Sequence, residues 1–81
     1  MRLDKFLKVS RIIKRRTIAN EYCDAGRVEI NGKVVKASYD VKPDDKLTVR
    51  FGEKSMTVKV VSVNEYATKE TASQMYEIVN E

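Results

Sequence analysis

The chain has no histidine and no tryptophan, one cysteine, one proline and three glycines among its 81 residues. Each scarcity removes a class of chemistry. Without histidine there is no Ser-His-Asp triad, no Cys-His pair and no imidazole ligand for a metal. A lone Cys23 forms neither an intrachain disulfide nor a thiolate metal site, which points to a reducing compartment. Gly26, Gly32 and Gly52 are isolated from one another, so no glycine-rich phosphate loop exists. No apolar run approaches the roughly 18 residues that cross a bilayer, and Met1-Arg2-Leu3-Asp4-Lys5 lacks the apolar stretch of a secretory leader. The expectation is a cytoplasmic domain with no membrane, metal or cofactor, and not an enzyme. The carboxylate pair Asp44-Asp45 follows Pro43 in a turn signal. There it lacks the burial that raises the pKa of a general acid, and it reads as turn-forming.

What the chain does have is unevenly placed charge. Lys and Arg number 16 against 12 Asp and Glu, for a net +4. Residues 1–16 hold seven cations (Arg2, Lys5, Lys8, Arg11, Lys14, Arg15 and Arg16) against Asp4 alone, for +6. Residues 17–63 are nearly balanced at +1, and residues 64–81 carry −3. An ordinary solvated face interleaves signs to avoid self-repulsion. Seven cations with one anion instead localise a positive potential suited to phosphate.

Hydrophobic period organises the rest. Leu3, Phe6, Leu7 and Ser10 share one face at helical spacing, predicting a helix over 3–10, with Asp4 at the positive end of its dipole. A second helix is expected from Arg15 to Asp24. Ile18, Ala19, Tyr22 and Cys23 form its stripe, and Gly26 sits where a left-handed cap belongs. Arg16 and Asn20, four apart, lie on a different face of that helix. From Arg27 the period becomes two, and Asn31-Gly32 marks a hairpin because a type I′ turn needs positive φ twice. Lys42-Pro43-Asp44-Asp45 is a second turn. Leu47, Val49 and Phe51 alternate with polar residues, and Met56–Val63 predicts a further strand. Thr68 to Asn80 returns to helical spacing, with Ala72, Met75, Tyr76 and Val79 on one stripe. Its cap is either Thr71 with Gln74 or Thr68. The fold class expected is α+β. Two N-terminal helices pack on a small, mostly antiparallel sheet, with a C-terminal helix, in one domain spanning 1–81. The aromatic residues do not cluster into a stacking platform, so base stacking is at most a minor contribution.

A family resemblance follows from these residues. Arg2-Leu3-Asp4-Lys5-Phe6-Leu7, Lys14-Arg15-Arg16 with Ala19, Gly26-Arg27-Val28-x-Ile30-Asn31-Gly32-Lys33-Val34-Val35 and Val41-x-Pro43-x-Asp45-x-Leu47-Thr48-Val49 stand in series. Together they resemble the RNA-binding domain named after the small-subunit ribosomal protein S-four, over residues 2–49. Residues 50–81 are then an extra strand and the tail helix. The resemblance implies that Arg2, Lys5, Arg11, Arg15 and Arg16 grip RNA, with Arg16 matching the family's most characteristic arginine. Two positions depart from the pattern: Arg15 replaces the usual capping Ser or Thr, and Asp44-Asp45 replaces Gly-Asp. With no other domain attached, the chain resembles stand-alone, ribosome-associated members of the RqcP and heat-shock types. That likeness implies binding to a large ribosomal subunit that carries peptidyl-tRNA, through rRNA and tRNA. It also implies a monomer that helps an RqcH-type factor add C-terminal alanine tails to stalled chains. Two other readings are a helix-turn-helix DNA-binding protein and a module whose basic face docks an acidic protein. Glu21 and Asp24 on the second helix disfavour the first of these.

Overall fold

The computed structural model describes residues 1–64 and 68–79. In chain order it contains α1 (Leu3–Val9), α2 (Arg16–Asp24), β1 (Val28–Ile30), β2 (Lys33–Val34), β3 (Lys46–Phe51), β4 (Lys54–Val60), α3 (Lys69–Ala72) and β5 (Tyr76–Ile78). The five strands form one sheet in the order β2-β1-β3-β4-β5, with every pairing antiparallel. This is the expected α+β class. No helix among the described residues is long and apolar enough to cross a membrane.

One face of the sheet is apolar because alternate strand residues point the same way. Val28, Ile30, Leu47, Val49, Val58 and Val60 are all buried there. Leu3, Phe6 and Leu7 of α1 and Ala19 and Cys23 of α2 close over them, with Met75 joining the same cluster. Asn31 (φ 52) and Gly32 (φ 85) both take positive φ, as the hairpin signal requires, and Ile30 pairs with Lys33 across the turn. At the end of α2, the Gly26 N–H bonds the Cys23 carbonyl and the Arg27 N–H bonds the Tyr22 carbonyl. Gly26 itself stands at φ 73, the left-handed residue of a Schellman cap.

Three expectations need correction. The helix expected over Thr68–Asn80 stops at Ala72, and Tyr76–Ile78 run as an edge strand on β4 (Asn80 lies outside the described residues). The cause is a demand from elsewhere in the chain. Without a neighbour, β4 would present a row of unpaired backbone groups over buried Val58 and Val60. The Val61 N–H and the Val79 N–H instead bond the Met75 and Thr57 carbonyls. Ala72 and Met75 reach the core in this arrangement too, each 1 % exposed. Thr68 is the cap, exchanging side-chain-to-backbone bonds with Thr71.

Second, the strand expected at Met56–Val63 is β4, Lys54–Val60. It starts earlier because Gly52-Glu53 alone connect Phe51 to its partner Lys54. Third, Ile18 is 37 % exposed although it falls within the predicted stripe. The face of α2 that meets the core is centred on Ala19 and Cys23.

Candidate nucleic-acid interface

The N-terminus of α1 has no side-chain cap. Its free N–H groups at Leu3 and Asp4 are taken by the carbonyls of Tyr39 and Ala37. An isolated bridge between Arg2 and Asp40, and an ion pair of 2.7 Å from the N-terminal ammonium to Asp40, fix the chain start further. Asp4 therefore enters the interior at a set place, between α1 and α2.

Its carboxylate is 3 % exposed and accepts from five donors. These are Arg2 Nε at 3.2 Å and Nη2 at 3.5 Å, Arg16 Nε at 3.4 Å, Asn20 Nδ2 at 3.4 Å and the Lys5 N–H at 2.8 Å. Burial pushes the Asp4 carboxyl up, but bonds from Asn20, Arg2, Arg16 and the Lys5 N–H outweigh it and hold its pKa below the usual value. The anion is thus fixed. Both arginines present their Nε edges to it while about half their side-chain area stays open, 52 % for Arg2 and 46 % for Arg16. Their outer nitrogens remain able to grip a phosphate. A shallow depression of about 410 Å³ opens beside Asp4, Arg16, Thr17, Asn20 and Glu21.

The predicted cations separate into two groups. Asp4 brings Arg2 and Arg16 together from opposite ends of the segment. Lys8, Arg11, Lys14 and Arg15 stand exposed along α1 and the turn to α2, and Lys5 is half-buried. Arg11 lies past the end of α1, in the left-handed conformation at φ 64, with its N–H on the Lys8 carbonyl. Arg15 is the N-cap residue of α2 and makes no side-chain cap bond there. Its departure from Ser or Thr therefore removes a cap and adds a cation. The other departure keeps the backbone of the residue it replaces, since Asp44 sits at φ 75, where glycine is the residue of least strain.

Spacing alone did not reveal the buried role of Asp4 or the part played by Asn20. The only signals were a carboxylate inside an otherwise cationic segment and the i, i+4 pair Arg16 and Asn20. Two aromatic side chains meet. Tyr22 and Phe51 lie 5.8 Å apart between centroids, and the Arg27 guanidinium is 5.3 Å from the Tyr22 ring centroid. They make a pair rather than a platform. The Asp44-Asp45 pair is structural, as expected. Asp45 accepts from the Tyr39 hydroxyl and the Lys42 N–H, each at 3.0 Å. Burial first, and then the charges of Asp4 and Asp24, push the Cys23 thiol up to about 11, so it is not a nucleophile at neutral pH. Among the described residues no group of three or more potential ligand side chains could hold a metal.

The model of the S4 domain matches residues 1–47, which include every residue of this cluster. The chain belongs to the S4 domain family. The matched residues end within β3, and β4, α3 and β5 follow them. The chain is 60 % identical over 81 residues to the "RQC P-site tRNA stabilizing factor" of Bacillus subtilis (strain 168), covering 100 % of this chain and 94 % of that protein. It is 53 % identical to the Streptococcus pneumoniae protein of the same name, covering 100 % and 92 %. The solved structure of Vibrio cholerae Heat Shock Protein 15, described as trimeric, superimposes with a TM-score of 0.89 at 29 % identity, covering 98 % of this chain and 81 % of that one.

Proposed function

We propose that this S4-domain chain is a non-enzymatic RNA-binding factor of ribosome-associated quality control. In this reading it binds the large ribosomal subunit carrying peptidyl-tRNA and touches both rRNA and tRNA. It thereby assists an RqcH-type factor in adding C-terminal alanine tails to stalled chains. The observation that carries the reading is the Asp4-anchored pair Arg2 and Arg16, flanked by exposed Lys8, Arg11, Lys14 and Arg15. The pair offers fixed guanidinium groups and the flanking residues offer exposed charge. That combination suits the shape and backbone of structured RNA more than a run of base edges. End-to-end likeness to proteins named for stabilising P-site tRNA supports the ribosomal target. A groove-reading α2 is disfavoured, because Glu21 and Asp24 are both exposed on it.

The test is co-sedimentation with large subunits that carry peptidyl-tRNA. Arg16→Ala and Arg2→Ala each weaken binding about tenfold or more, as expected where a charge-assisted contact is lost. Their folded signatures by circular dichroism stay unchanged. Binding of both variants at the level of the unsubstituted chain sinks the assignment.

A further inference from the structure

A groove of about 860 Å³ runs beside the basic cluster, between the C-terminal half of α2 and the segment 34–39. Arg2 and Asn20 line it as well as the cluster around Asp4, so the two sites are continuous. Val34 and Val35 give it apolar wall, and Val34 is 60 % exposed. Lys36 and Asp24 line the same groove with opposite charge. Nothing in the fold of residues 1–64 and 68–79 uses this space.

Three features match an unstacked nucleobase. The Arg2 guanidinium is held in one plane by two bonds to Asp4, from Nε and Nη2. A guanidinium fixed by its edge keeps a flat face free, and RNA-binding proteins stack bases on such faces. The valines supply apolar surface for the other parts of a ring. Asp24 stands at the end of α2 where the helix carbonyls add negative potential, an environment that accepts hydrogen bonds and repels phosphate. Cations suited to the attached phosphate are present at Arg2 and Lys36.

We propose that the groove seats one unstacked base of the bound RNA, with a donor edge turned to Asp24. Guanine is the preferred base, because its N1–H and N2–H₂ offer two adjacent donors to one carboxylate. Uracil has one imino donor flanked by carbonyl oxygens, which a carboxylate repels. The proposal rests on the RNA-binding reading above and assigns one nucleotide of that contact to a place.

Amide NMR titration of the full chain with the four nucleoside monophosphates and with inorganic phosphate tests it. GMP moves the amides of Val34, Val35 and Asp24, whereas inorganic phosphate moves only those around Arg2, Arg16 and Lys36. GMP binds about fivefold tighter than UMP, the low end of what a paired base contact discriminates. Asp24→Asn, an exposed substitution, removes that preference. Equal groove shifts for all four nucleotides, or none, overturn the proposal, as does a groove that answers only to peptide. Large-subunit co-sedimentation of the unsubstituted chain separates the two readings. If it persists while the groove shifts are missing, the groove assignment alone fails. If it is lost, the RNA-binding reading fails.

Discussion

Asp4 shows how a single acid can serve a cationic surface. Two guanidinium groups at one site repel each other, and a buried carboxylate between their Nε edges offsets that repulsion without covering their outer nitrogens. Asp4→Asn removes the charge and keeps the shape, so Arg2 and Arg16 lose their shared partner. Because both arginines are about half exposed, solvent screening limits the cost to about 1–2 kcal/mol in urea unfolding. A carboxyl whose pKa is lowered on folding adds stability that is present above its unfolded value of 3.8 and is lost as pH falls below it. The unsubstituted chain therefore loses more stability than Asp4→Asn as pH drops from 5 toward about 2. Parallel acid limbs in the two proteins would contradict the ion-pair assignment. Arg11 gives the converse case. At φ 64 a non-glycine side chain carries local strain, and such strain persists where something other than stability retains it. Arg11→Gly raises stability by about 0.5–1 kcal/mol in thermal unfolding while weakening RNA binding. A change in the same direction on both measurements counts against a binding role for Arg11.

At the scale of elements, the open edge of β4 governs the C-terminal region. Tyr76–Ile78 complete the sheet, and Met75 fills the space beneath as the chain turns into β5, 1 % exposed. Met75→Ala leaves a cavity there and costs about 2–4 kcal/mol by chemical denaturation. A loss under 1 kcal/mol would mean that the C-terminal segment covers nothing essential. This element was also the one the sequence concealed. Ala72, Met75, Tyr76 and Val79 fit helical spacing, and only the unmet hydrogen bonds of β4, about 20 residues upstream, favour the strand. Elements with local signals were legible: α1 and α2 by period and the Gly26 cap, the β1–β2 hairpin by Asn31-Gly32, and β3 by alternation. The cationic segment of the candidate site was legible for the same reason, since a charge count needs no partner. What joins Arg2 to Arg16 was not, because the link runs through Asp4 across 12 residues and across the α1–α2 packing.

For the whole molecule, charge placement matters more than the net +4. Six of the seven cations in residues 1–16 are exposed, and the acidic groups of the described C-terminal region lie in α3 and β5, away from that segment in the chain. Glu77 stands opposite Lys59 in the β4–β5 register, on the far edge strand of the sheet. A surface with about six phosphate contacts releases that many counterions, so affinity for structured RNA falls roughly 10³-fold between 50 and 200 mM salt. Lys14→Ala removes one such contact and reduces the slope of log K against log salt by about one unit. Lys59→Ala, on β4 beside Asp44 at 3.5 Å, leaves the slope unchanged. Fluorescence titration of one labelled RNA hairpin at four salt concentrations measures all three proteins. Equal losses of slope in the two variants would mean that RNA responds to total charge. A loss confined to Lys14→Ala would locate the contact in the first sixteen residues, where the buried Asp4 carboxylate holds Arg2 and Arg16.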